Sequence, residues 1–91
     1  YEIYDLRNKA AYEQCHIRGS KLLDAKNLRK DNDVIPKDKK IIFYDETGSV
    51  ASNLIKMMNN LNFDNIYMLE GGMLFLRKYN DYMNLDLLEA N

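Results

Sequence analysis

The sequence predicts a three-layer α/β domain, with a four- to five-stranded, mostly parallel sheet flanked by helices. Three observations carry this expectation. Ile41-Ile42-Phe43-Tyr44 is continuously apolar and β-branched or aromatic, as a central parallel strand covered on both faces should be. Ile66-Tyr67-Met68-Leu69 is a second segment of the same kind. Between them, from Val50 to about Asn60, the residues Val50, Leu54, Met57, Met58 and Leu61 fall on one helical face.

The remaining elements follow in chain order. Glu2-Ile3-Tyr4-Asp5-Leu6 alternates polar and apolar and reads as a short strand. Asn8 is suited to cap a short helix through Gln14, with Ala10, Ala11 and Glu13 as helix formers. Gly19-Ser20 ends that unit, and Lys21-Leu22-Leu23 reads as a brief edge strand. Residues 24–40 are polar and hold the single proline, Pro36, so they read as a weak helix or turn followed by a surface loop. Asp45-Glu46-Thr47-Gly48-Ser49 is a turn between the 41–44 strand and the helix. Gly71-Gly72 breaks the chain after the second buried strand, and Met73 to about Met83 suits a closing helix. The order β-α-β-loop-β-α-β-α restricts the topology to a mostly parallel sheet. Ligands on such sheets sit at the carboxyl ends of the strands, which directs attention to residues 45–50.

Composition sets the outer limits. Ninety-one residues, 46% of them apolar, give one domain of modest size over residues 1–91. Thirteen Lys and Arg against fourteen Asp and Glu leave a net charge of −1, which argues against a nucleic-acid or membrane surface built on bulk charge. No apolar run approaches the roughly 18 residues that a membrane span needs. One cysteine, Cys15, and one histidine, His16, exclude an internal disulfide and leave little for a metal; no cofactor is expected. The chain starts at Tyr1, already inside the alternating segment and without an initiator Met. The expectation is a domain cut from a longer protein.

Asp5-Leu6-Arg7, then Tyr12, then His16-Ile17-Arg18-Gly19-Ser20 is similar to the opening pattern of rhodanese-like (sulfurtransferase) domains: D-x-R, an aromatic, then G-H-I-x-G-A. Cys15 stands where the family's first glycine usually does. Asn65-Ile66-Tyr67-Met68-Leu69-Glu70-Gly71-Gly72 resembles the family's N-V-Y-V-L-x-G-G, and Ile41 to Tyr44 resembles the strand that leads into its active-site loop. The resemblance covers residues 1 to about 80, which makes 80–91 a C-terminal extension. It also implies that the family's usual N-terminal element is missing before Tyr1. Asp5, Arg7, His16, Gly19, Gly71 and Gly72 are the structural motif positions it implies.

The loop departs from the family. Active members carry a six-residue loop that begins with Cys and commonly holds two Arg; the Cys becomes a persulfide, and amides and arginines cradle the anionic substrate. Here the loop is Asp45-Glu46-Thr47-Gly48-Ser49-Val50. Asp45 stands at the nucleophile, with Glu46 and Val50 at the usual arginine positions. Sulfur transfer needs a thiolate, whose pKa a cationic nest at a helix N-terminus lowers. A carboxylate cannot carry sulfane sulfur, and two adjacent carboxylates repel an anion. The helix dipole would instead stabilise Asp45 and Glu46 themselves, by about 0.3–1 kcal/mol each. The catalytic assignment is therefore none.

Other readings are weaker on physical grounds. Adjacent Cys15 and His16 point their side chains apart, so His16 reads as a hydrogen-bonded packing residue. Cys15 would be strained if it kept the positive φ that glycine permits. Asp5 and Arg7 read as a structural pair at the top of the sheet. A phospho-acceptor role for Asp45 lacks an acidic pair at the carboxyl end of the first strand, where only Asp5 stands, and a lysine ending the last. Met57, Met58, Met68, Met73 and Met83 read as core filler. The amphipathic tail, with Leu85, Leu87 and Leu88, is expected to dock on its own domain, with a partner domain of the parent protein as the alternative. The resemblance implies a non-catalytic interaction or regulatory module, with a protein partner or neighbouring domain, no nucleic acid and no membrane. Lack of a signal segment and of paired cysteines suggests a reducing, cytoplasmic setting. The alternative is a sulfurtransferase or phosphatase-like enzyme working through Cys15 or Asp45.

Overall fold

Two strands of near-uniform apolar character set the architecture. In a computed structural model that describes all of residues 1–91, the elements in order are β1 (Glu2–Asp5), α1 (Lys9–Gln14), β2 (His16–Ile17), β3 (Lys21–Leu22) and α2 (Ala25–Lys30). A 3-10 turn (Asn32–Val34) leads to β4 (Ile41–Tyr44), α3 (Ser49–Asn60), β5 (Ile66–Met68), α4 (Gly72–Tyr82) and β6 (Leu88–Glu89). The main sheet has the order β3-β1-β4-β5, and every pairing in it is parallel. The α/β class and the flanked parallel sheet of four strands are as the sequence predicts.

The register places Ile41, Phe43 and Ile66 on one sheet face. Together with Ala51, Leu54 and Met58 of α3, and Phe63, they form the buried core. Tyr4 packs edge-on to Phe43, with ring centroids 6.2 Å apart. The inward face of α3 differs from the expectation, because Ala51 replaces Val50 and Leu61 on it; those two are 39% and 42% exposed. The helix starts at Ser49, which turns Val50 outward.

Three further expectations are corrected. Residues 24–40 do hold the expected helix, α2, but they are not a surface segment: Leu28 and Ile35 are buried in the core. Asn65 Nδ2 pins the segment by donating to the carbonyls of Pro36 (2.8 Å) and Lys39 (2.7 Å). Met58 and Met73 are fully buried, yet Met83 is 50% exposed and fills no core. The tail forms a strand that was not anticipated: β6 pairs antiparallel with β2, matching His16 with Glu89 and Ile17 with Leu88. Arg18 strengthens this clasp through Asp86 (2.8 Å) and Glu89 (3.3 Å). No helix is long and apolar enough to cross a membrane.

Candidate functional site

The carboxyl ends of β1 and β4 lie side by side, and the site is built there. β4 ends at Tyr44, and the chain turns through Asp45-Glu46-Thr47-Gly48 into α3. Gly48 makes that turn possible, because the N-cap position has φ +100°, a region that glycine enters without steric cost. Asp45 is 5% exposed, and its Oδ2 accepts the Val50 amide at 3.0 Å. The carboxylate thus satisfies one of the N–H groups that a helix start leaves without an internal partner. Its Oδ1 is buried without a hydrogen-bond partner. Thr47, Ser49 and Val50 are exposed, and the Thr47 and Ser49 hydroxyls lie 3.3 Å apart.

Glu46 behaves differently from its neighbour. It leaves the helix N-terminus and bridges two arginines, so the expectation that the dipole holds both carboxylates is correct for Asp45 alone. Arg77 of α4 meets it through both terminal nitrogens, Nη1 lying 3.4 Å from Oε1. Arg7, just beyond β1, approaches from the other side at 3.6 Å. Neither cation belongs to the loop. The surroundings of Glu46 are therefore cationic even though the loop sequence is acidic. Arg77 gives no signal in the sequence, where it is one charged residue on an amphipathic helix.

Arg7 is itself held firmly. Its guanidinium spans both oxygens of Asp5, at 3.1 and 2.8 Å, and donates to the Cys15 carbonyl. Asp5 is fully buried, and Arg7's side chain is only 8% exposed. Burial alone pulls the guanidinium's pKa down, but Asp5, with smaller contributions from Tyr44 and Glu46, more than offsets it and raises it above its ordinary value.

The α4 helix is docked onto the loop's backbone. The Met73 and Leu74 amides donate to the carbonyls of Asp45 and Glu46, both at 2.9 Å. That close approach explains Gly72, where φ is +62° and a Cβ would fall 2.5 Å from the Asp45 oxygen. Below the loop, the buried Tyr44 hydroxyl accepts the Ile17 amide (3.0 Å) and meets Ser20 Oγ (2.9 Å). Burial is the main cause that pushes this phenol up to about 12.

Cys15 and His16 lie apart from the loop's chemistry. Cys15 has φ −166° and ψ 125°, an extended backbone open to any residue, so the strain considered for that position does not arise. His16 is 1% exposed and stacks on Tyr12 at 3.9 Å. Both of its ring nitrogens are engaged, Nδ1 with the Tyr12 carbonyl (2.7 Å) and Nε2 with Glu89 (3.2 Å). It offers no nitrogen to activate Cys15. Gly19, at φ +84°, turns the chain between β2 and β3. No three His, Cys, Asp or Glu side chains are grouped as a metal ion requires.

Comparison with known proteins agrees with this architecture. The rhodanese-like domain family matches residues 1–74. The centrosomal protein of 41 kDa from Xenopus tropicalis is 34% identical over 80 residues, covering 78% of this chain and 22% of the relative. Its Homo sapiens counterpart is 31% identical over 80 residues, covering 78% and 21%. The chain thus spans about a fifth of the length of the curated relatives it matches. Among solved structures, a rhodanese-related protein from Thermoplasma volcanium superposes with a TM-score of 0.79 at 22% identity, over 87% of this chain and 78% of that one. A rhodanese-like domain from Anabaena sp. gives 0.77 at 19% identity, over 98% and 80%. At such identities the structural likeness speaks for the fold.

Proposed function

The chain belongs to the rhodanese-like domain family, and from that premise we propose that it is a catalytically inactive member, serving as a protein-interaction or regulatory module in a larger protein. One observation carries the reading. The residue that follows β4 at the head of the loop is an aspartate whose carboxylate accepts the Val50 amide. A carboxylate there cannot accept sulfane sulfur, and its charge opposes an incoming anion. Glu46, clasped by Arg7 and Arg77, neutralises the nearest cations as well. A fold outlasts its chemistry readily, so function has to be argued from the site.

The partner is a protein or a neighbouring domain of the parent chain. The curated relatives are named as centrosomal proteins and are about five times longer than the matched segment, which supports a role as one module among several and a cytoplasmic setting. Nucleic acid and membrane are not proposed as partners, because the net charge is −1.

Thiosulfate-to-cyanide sulfur transfer tests the catalytic half, with Cys15→Ser as control. The expected result is no turnover above background in either protein. Turnover that vanishes in Cys15→Ser would overturn the proposal and establish a displaced nucleophile. The interaction half is tested by capture from the source cell under mild salt, where a clean blank would count against it.

A further inference from the structure

A cleft of about 480 Å³ opens at the carboxyl ends of β1 and β3, beside the degenerate loop but not within it. It is lined by Leu6 to Lys9 and by Leu22, Asp24 and Lys26. That volume falls in the range of small-molecule sites, and the outer carboxyl ends of parallel strands are where open α/β sheets bind ligands.

The lining has a definite polarity. It carries two lysines against one aspartate: Asn8 Oδ1 takes the Ala11 amide at 2.8 Å, and Asp24 Oδ1 takes the Lys26 amide at 2.9 Å while its other oxygen stays free. Arg7 is occupied by Asp5 and Glu46. Lys9 of α1 and Lys26 of α2 remain, and neither ammonium is paired with a carboxylate. Lys21 and Lys39 behave otherwise, both reaching Glu2, at 4.0 and 3.5 Å. Leu6 and Leu22 supply the apolar part of the lining, the latter 39% exposed. A protein of net charge −1 therefore presents two unpaired cations in one cleft with an apolar patch.

We infer that this cleft binds a small organic anion: a phosphate monoester or carboxylate held between Lys9 and Lys26, with an apolar body lying on Leu6 and Leu22. The site is separate from the loop that names the family, and it does not depend on whether that loop is catalytic.

Phenyl phosphate, benzoate and inorganic phosphate serve as probes, titrated into the 15N-labelled chain and followed by amide chemical shifts. Phenyl phosphate should give saturable shifts at residues 6–9 and 22–26. Benzoate, sharing the apolar body, should perturb the same amides. Inorganic phosphate, which leaves the leucines unused, should bind at least several-fold more weakly than phenyl phosphate. Lys9→Gln and Lys26→Gln should each weaken phenyl phosphate by a few-fold and together by about tenfold. As surface changes they keep the dispersed spectrum that makes the measurement readable. Shifts concentrated at residues 45–50, non-saturating shifts, or equal affinity in the double variant would each overturn the inference.

Discussion

Arg77 of α4 closes on Glu46 of the loop after β4, Nη1 lying 3.4 Å from Oε1, so the loop's own acid occupies a cation supplied by a distant helix. Arg7 completes the bridge from the opposite side. The acidic loop and the cations near it are one neutralised unit. That arrangement changes what removing the acids should do, because replacing Asp45 alone leaves the cations occupied.

Asp45→Cys restores the element that sulfur chemistry needs, yet Glu46 still holds Arg7 and Arg77. The expected activity is at or barely above background. Adding Glu46→Gln frees Arg77, while Arg7 stays held by Asp5, and should raise thiosulfate turnover at least tenfold over Asp45→Cys alone, since a freed charge-assisted contact to an anion is worth about 1.5–3 kcal/mol. Steady-state rates of the two variants decide the matter. Equal rates would show that Arg77 does not reach the loop.

Asp5 is fully buried against Arg7. Asp5→Ala leaves a nearly buried guanidinium without its carboxylate and should cost about 3–5 kcal/mol. Urea unfolding measures this. By contrast, Glu46→Gln breaks a pair whose side chains are 39% and 44% exposed, and should cost under about 1 kcal/mol.

The parallel sheet was legible because Ile41–Tyr44 and Ile66–Met68 are apolar throughout, a pattern that buried parallel strands impose on any sequence. The helix start at Asn8 was equally legible from local chemistry. What the sequence hid was non-local. Leu28 and Ile35 reach the core from a segment whose average polarity suggests a loop. Leu88–Glu89 form a strand only because β2 offers its edge, and two-residue strands leave no periodicity to read. The site shows the same division. The loss of the loop cysteine is visible in one letter, whereas the partnership of Glu46 with Arg77 spans 31 positions and depends on how α4 is docked.

Gly72 governs that docking. Gly72→Ala would set a Cβ 2.5 and 2.6 Å from the carbonyl oxygens of Asp45 and Glu46, at φ +62°. Backbone oxygens cannot step aside, so the helix start must move and lose the bonds from Met73 and Leu74. The expected cost is about 3 kcal/mol or more. Gly19→Ala is the matched control: its φ is +84°, but nothing lies within 4 Å of the added carbon. It should cost only the conformational strain, about 1–2 kcal/mol. Comparable losses in urea unfolding would show that the close approach at Gly72 is relieved cheaply.

Tyr44 links stability to alkaline pH. Its phenol is pushed up to about 12, chiefly by burial, against about 10 in an unfolded chain. Because folding raises this pKa, the neutral phenol contributes stability that is fully present below pH 10. Between pH 10 and 12 the unfolded state ionises first, and about 2–3 kcal/mol is lost. Tyr44→Phe removes that dependence, and it also leaves the Ile17 amide without its acceptor, which should cost about 1–3 kcal/mol at pH 8. The wild-type protein is thus expected to be the more stable at pH 8 and to lose its advantage as pH climbs above 10. Tyr4, also pushed up to about 12, is present in both proteins and drops out of the comparison. Urea midpoints for the pair at steps from pH 8 to 11.5 give the test. A gap that stays constant would mean that Tyr44 ionises in the folded protein as readily as in the unfolded chain, and that its hydroxyl is held by packing alone.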